Sequence, residues 1–261
     1  GNIRNYGTGE VRFEAPQITP ESTATKPSEV YKPGTTLDRT LEYGGKTVPI
    51  YRDRPLNVFS DVDFIWTGEE NENQRRLEYL GGEFRTRYGI DVSSFQGEID
   101  WDAVADDNID FAMVRVGFRG TGTGSLNTDK YYEQNIRGAM RAGLETGVYF
   151  FAQAVTVEEA IEEADYVISL LDGLDINGPV AYDWEMHDST YRVYGTSPEM
   201  ATACAVAFCE RIKDAGYTPM VYGGTYVTYM KYDQGALADY LSWYPEYKSE
   251  KSEKLCPTLV Y

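Results

Sequence analysis

The sequence predicts an α/β fold built on a parallel sheet, either closed as a barrel or open and doubly wound. Three observations carry this. From Tyr88 onward, short apolar runs alternate with stretches of helical period. Most of those runs are apolar throughout, as strands covered on both faces should be. The chain has 261 residues, a common size for one α/β barrel.

The elements follow in chain order. Residues 1–35 include APQITPESTATKPSEVYKPGT, which is rich in Pro, Thr and Ser. Such a stretch cannot bury a core and reads as an extended tether. Tethers of this kind often follow an export signal or anchor, so an extracellular or cell-surface location is expected. Residues 36–87 read as an N-terminal extension with a β-hairpin. Gly44-Gly45 lies between the strand-like runs RTLEY and KTVPIY, and glycine supplies the positive φ that a primed turn needs. Pro49 confines its strand to an edge. The charged, mixed stretch from Asn57 to Arg87 predicts irregular structure.

Residues 88–261 form the barrel candidate. Strands are expected at 88–93, 111–118, 146–153, 178–185, 218–224 and 241–247. A helix around Tyr131–Ala142 is closed by Gly143. Thr156-x-x-Glu159 predicts a capping box, followed by Ala160, Ala164, Val167 and Leu171 on one helical face. Ser197-Pro198 predicts a cap with proline in the first turn, and Gly216 closes that helix. Gly120-Thr-Gly-Thr-Gly124 lacks the Lys of a phosphate-binding loop and reads as a flexible loop over the site. Glu158, Glu159, Glu162 and Glu163 read as a solvated helix face.

Composition excludes several classes. Lys+Arg is 24 and Asp+Glu is 42, a net charge of −18. That argues against nucleic acid as a partner, which demands a basic surface, and against anionic lipid. No run is long and apolar enough to insert into a membrane. The chain has one histidine, so a zinc site with several His ligands is excluded. Cys204 and Cys209 are five apart in a helical stretch, too far for a disulfide, and Cys256 is the third cysteine. No metal and no cofactor are expected.

Chemistry then falls to carboxylates at the carboxyl ends of strands, where parallel α/β folds gather function. Asp183 and Glu185 stand at i and i+2, so their side chains share one face. Two carboxyls in one cavity repel, and one tends to hold a proton near neutral pH. That supplies the acid and the anion that glycoside cleavage requires. Asp91 ends the first strand. Tyr222 and Phe150 are the rings expected to meet a sugar, with Gln153 and Ser93 as polar substrate contacts at strand ends. Alternation turns Tyr182 and Trp184 the other way, Trp184 into the core. His187 reads as an ordinary loop histidine.

At these residues the sequence resembles glycoside hydrolase family 25. The matching pieces are G-I-D-V-S-x-x-Q-G (Gly89 to Gly97), I-D-W-x-x-V (Ile99 to Val104), F-A-M-V-R-V-G (Phe111 to Gly117), G-V-Y-F-F (Gly147 to Phe151), A-Y-D-W-E (Ala181 to Glu185) and P-M-V-Y-G (Pro219 to Gly223). The resemblance implies an irregular TIM-like (β/α)5β3 barrel and a lysozyme. Such an enzyme hydrolyses the β-1,4 bond from N-acetylmuramic acid to N-acetylglucosamine, with peptidoglycan glycan strands as its partner. It implies Glu185 as proton donor, with Asp183 and Asp91 as its partner acids. The family's W-Q-Y-T segment and final V-D-x-N strand have no match here. LCPTLVY is the candidate seventh strand and an eighth has none, so the barrel is expected to be incomplete at its C-terminus. The alternatives are a chitinase-like hydrolase of other N-acetylated glycans and a glycan-binding protein with weakened catalysis.

Overall fold

The computed structural model describes residues 37–43, 46–51, 60–68, 75–82, 84–247 and 252. The Pro/Thr/Ser-rich tether, Cys256 and the LCPTLVY segment lie outside these residues.

Strands β1 (Leu37–Tyr43) and β2 (Lys46–Tyr51) pair antiparallel, with Tyr43 opposite Lys46. They flank the Gly44-Gly45 position where a turn was expected. The mixed stretch to Arg87 is more regular than its composition suggests. It holds β3 (Phe64–Thr67) and β4 (Arg76–Tyr79), also an antiparallel pair. The Tyr79 ring lies 5.3 Å from Phe64 and 5.9 Å from Phe84, so aromatic cross-strand packing does what alternation alone did not announce. Arg76 pairs with Asp107 at 2.7 Å and Arg87 with Glu145 at 2.7 Å.

The remaining elements alternate. They are β5 (Gly89–Val92), α1 (Trp101–Asp106), β6 (Phe111–Arg119), β7 (Leu126–Thr128), α2 (Tyr132–Arg141), β8 (Glu145–Ala152), α3 (Val157–Leu170), β9 (Val180–Trp184), α4 (Pro198–Asp214), β10 (Pro219–Tyr222), α5 (Thr225–Met230) and β11 (Leu241–Trp243). They build a seven-stranded sheet in the order β11-β10-β9-β8-β6-β5, with β7 hanging antiparallel on β6. All other pairings are parallel. Residues from both edge strands, Asp91 of β5 and Trp243 of β11, line one cavity, so the sheet is curled into a half-barrel.

Local sequence explains the helix starts. The Asp100 carboxylate accepts from the Ala103 N–H, Thr156 Oγ1 from the Glu159 N–H, and Ser197 Oγ from the Met200 N–H. The expected capping box at Thr156 is only half made. The Glu159 carboxylate instead accepts from the Val155 N–H and pairs with Arg192. Gly143 and Gly216 have φ of +84° and +91°, the left-handed closure expected of them.

The core lies between the sheet and helices α2–α4. Tyr182 packs on Phe208 with ring centroids 4.7 Å apart, and Trp184 donates its indole N–H to the Ala154 carbonyl at 3.0 Å. Cys204 and Cys209 are free and buried here, and burial pushes the Cys204 thiol up to about 12. The Gly120–Gly124 stretch is the tight turn between β6 and β7, closed by Gly120 N–H to the Ser125 carbonyl and Gly124 N–H to the Gly120 carbonyl. Its glycines serve turn geometry, which corrects the expectation of a flexible loop.

Candidate active site

At the carboxyl edge of the sheet lies a cavity of about 420 Å³, lined by Asp91, Asp183 and Glu185 and by the rings of Tyr149, Tyr222 and Trp243. Another cavity of about 320 Å³, beneath β10 and β11, has no carboxylate among its described lining residues. The first, where three carboxylates meet, is therefore the candidate site.

Strand β9 delivers the central pair. Val180 to Trp184 are all buried, and alternation sends Tyr182 and Trp184 toward the helices and Asp183 into the cavity. Burial holds the Asp183 carboxyl well above the usual carboxylate range. The charge of Glu185, a hydrogen bond with it and the charge of Asp91 push the same way, and Arg115 opposes them. Asp183 and Glu185 thus act as one unit, with Asp183 the drier partner. The Glu185 side chain is 24% exposed and its Oε2 lies 2.9 Å from His187 Nε2. His187 also packs edge-on against Tyr191 at 5.3 Å. The expected loop histidine thus reaches the acid directly, through a turn that periodicity does not encode.

Behind Glu185 stands a buried polar frame. Gln153 Nε2 donates to the Glu185 main-chain carbonyl at 2.7 Å. The Gln153 N–H donates to Glu163 Oε1 at 3.0 Å, and its carbonyl accepts from Arg192 at 3.0 Å. Arg192 also binds Glu159, and Arg119 binds Glu163 and Glu162, each at 2.7 Å. Glu163 is fully buried, and desolvation pushes its carboxyl up to about 7 despite these bonds. The acidic face of α3 is therefore not simply solvated. Glu159 and Glu163 fasten the ends of β6 and β8.

The aromatic wall is built by β8, β10 and β11. Trp243 meets Tyr222 edge-on at 5.0 Å and Tyr149 at 6.0 Å. Burial raises both tyrosine hydroxyls above their ordinary value, and nearby carboxylates add to this. Both stay neutral donors.

Of the residues expected at the site, Asp91, Asp183, Glu185 and Tyr222 come together. Three do not. Phe150 is fully buried and packs edge-on against Tyr166 of α3, 6.2 Å away. Its neighbour Tyr149 takes the inward position. Gln153 is fully buried, does not line the cavity, and donates to the Glu185 main-chain carbonyl. Ser93 is buried and caps the short turn Ser94–Gln96, its hydroxyl accepting from the Phe95 N–H. Tyr149 and Trp243 escaped the sequence reading, although each lies within a strand it marked.

The pair can hold one proton beside one anion in a cleft walled by rings, the equipment for protonating a glycosidic oxygen. Among the described residues, no group of three or more His, Cys, Asp or Glu could hold a metal ion.

The chain is 26% identical over 164 residues to the autolytic lysozyme of Clostridium acetobutylicum, covering 62% of this chain and 46% of that protein. It is 30% identical over 112 residues to lysozyme M1 of Streptomyces globisporus, covering 42% and 36%. It thus spans less than half the length of either. The crystal structure of the bacterial lysozyme from Streptomyces coelicolor shares the fold, with TM-score 0.51, 24% identity, and coverage of 63% of this chain and 76% of that one. The model of glycosyl hydrolases family 25 matches residues 90–258, well over half the chain. On that match the chain belongs to glycosyl hydrolases family 25.

Proposed function

We propose that this chain is a lysozyme that hydrolyses the β-1,4 bond from N-acetylmuramic acid to N-acetylglucosamine in peptidoglycan, at a cell surface or outside the cell. In this reading residues 88–261 make up an irregular (β/α)5β3-type barrel that is incomplete at its C-terminus, and 36–87 an N-terminal extension. One observation carries the reading: Asp91, Asp183 and Glu185 line one cavity walled by Tyr149, Tyr222 and Trp243. Glu185, the more exposed of the two, passes the proton that the pair holds to the glycosidic oxygen as the C–O bond breaks. In the second half-reaction it takes a proton back from the attacking water, so the enzyme ends as it began. Asp183 and Glu185 stand two residues apart at the end of one strand and face one cavity, whereas the two acids of the direct scheme flank the sugar from opposite sides. That placement favours a substrate-assisted course. The substrate's own N-acetyl oxygen closes on the anomeric carbon, and Asp183 orients the N-acetyl group. Asp91 adds negative charge opposite the developing cation.

The test is analysis of reducing ends after incubation with purified peptidoglycan. Muramic acid ends are expected from the wild type, and Glu185→Gln should slow their release by on the order of 10² or more without loss of fold. Glucosamine ends, or cleavage of chitin alone, would transfer the reading to other N-acetylated glycans. A wild type that binds glycans and cleaves none would make the chain a binding protein.

A further inference from the structure

We infer that Phe95 forms a sugar-binding platform beyond the catalytic cavity, on the side of Asp91, that stacks on the apolar face of a pyranose ring in a β-1,4-linked N-acetylhexosamine chain. The inference extends the glycan-hydrolase reading above and names a subsite for it.

Phe95 follows Asp91 by four residues in the turn that leaves the carboxyl end of β5, and its ring is 85% exposed. A single exposed phenylalanine is unremarkable in itself, since much protein surface is apolar. What sets this one apart is how firmly it is held. The turn beneath it is fixed at each residue. The Ser93 hydroxyl accepts from the Phe95 N–H, the Gln96 side chain accepts from the Ser93 N–H at 2.8 Å, and the Ser94 N–H donates to Asp129 at 2.9 Å. The Arg115 guanidinium lies against the ring, its carbon 5.0 Å from the Phe95 centroid and 5.4 Å from that of Phe118. Arg115 is itself tied to Asp129, which is buried, at 2.8 Å, and to the Ser94 hydroxyl at 3.2 Å.

Arg115 therefore contacts both Phe118 and Phe95, while the Phe95 ring stays open to solvent. A surface side chain that only covered its own backbone would need no such support. A ring immobilised before binding loses little entropy when a ligand lands on it. The ligand must be flat and apolar on one side, polar around its rim, and continuous with whatever occupies the acidic cavity. Arg115 stands opposite Tyr149 in the β6–β8 pairing, and Tyr149 lines the cavity, so platform and cavity are neighbours. A glycan strand threading the cavity has those properties, because each pyranose presents a face of C–H groups and a rim of hydroxyl and amide groups. Tyr222 and Trp243 stand on the far strands of the curled sheet, β10 and β11. A strand that crosses the acids from that wall meets Phe95 on leaving.

The full chain, Phe95→Ala and Phe95→Trp are compared in two assays. The first titrates N-acetylglucosamine oligomers of two to six units calorimetrically. The second measures kcat and KM on soluble peptidoglycan glycan strands. Phe95→Ala should weaken binding of the six-unit oligomer roughly tenfold, as expected for one lost ring contact, and leave the two-unit oligomer unchanged. It should raise KM on glycan strands by a similar factor with kcat within about twofold, and Phe95→Trp should restore both. The exposed ring carries no core packing, so near-ultraviolet circular dichroism and Tm should match the wild type. Oligomer affinity independent of residue 95, or absence of oligomer binding by the wild type, overturns the platform. So does a fall in kcat at constant KM, which would make Phe95 a support for Asp91. Residue-95-dependent binding without any cleavage would sink the hydrolase reading and leave the platform standing.

Discussion

Replacing Gln153 by leucine separates catalytic positioning from stability. Leucine has nearly the same bulk and no polar atom. The substitution removes the 2.7 Å bond from Gln153 Nε2 to the Glu185 carbonyl, leaving that carbonyl unmet at a cost of about 1–3 kcal/mol. It also removes Gln153 Oε1, a buried acceptor that has no hydrogen-bond partner and carries a desolvation penalty of about the same size. The two nearly cancel, and the backbone bonds of residue 153 to Glu163 and Arg192 survive. Stability should therefore change by less than about 1 kcal/mol, a Tm shift under about 4 °C for a domain of this size. Catalysis has no such compensation. Without its tether the main chain at Glu185 can move, and a misplacement of about 1 Å costs on the order of 10² in rate. The assay is release of reducing ends from soluble glycan strands, resolved into kcat and KM and run beside a thermal melt. A large fall in kcat with KM and Tm nearly constant is expected. A variant that keeps its kcat within about twofold refutes the positioning argument, and one that fails to fold shows Gln153 to be structural instead.

Two further outcomes follow from the buried groups. Burial raises the Asp183 carboxyl, so its protonated form favours the folded state. That contribution is complete below the ordinary carboxylate range and is lost as pH rises through the folded value. Asp183→Asn should therefore gain about 0.5–2 kcal/mol near pH 8, with little change near pH 3, while losing activity. Denaturant titrations at the two pH values measure this, and an equal effect at both would contradict it. Phe150→Ala should lose about 3–5 kcal/mol by urea denaturation with KM unchanged, because the ring fills the core against Tyr166. A raised KM at unchanged stability would return Phe150 to the substrate.

The sequence was most legible where polarity and period agreed. The strands at 89–92, 111–119, 145–152, 180–184, 219–222 and 241–243 fall inside or within a residue of the runs read as strands. The phase of β9 was readable because Asp183 and Glu185 are polar on one side and Tyr182 and Trp184 apolar on the other. The phase of β8 was not. Tyr149, Phe150 and Phe151 place aromatic bulk on both faces, so alternation carries no sign. The β6–β8 pairing also shifts register between Arg115 and Gly117, which no periodicity announces. Gln153 and Ser93 misled for another reason. A polar residue at a strand end can serve a ligand or the backbone, and only tertiary contacts decide between them. The frame behind Glu185 was equally hidden, since Arg119, Glu163 and Arg192 are far apart in sequence and charged residues on helices read as surface.

In the half-barrel, spatial order repeats chain order from β5 to β11, with β7 set aside on β6. During synthesis, each parallel strand after the first therefore emerges to find its neighbour already made. No step among these strands requires the two ends of the sheet to meet, so loop closure stays short and the entropy it consumes stays small. The growing domain always offers one open edge, and the next strand–helix unit is there to cover it. Assembly from the N-terminal side can thus keep pace with translation, with little interval in which an apolar strand lies unpaired and free to aggregate.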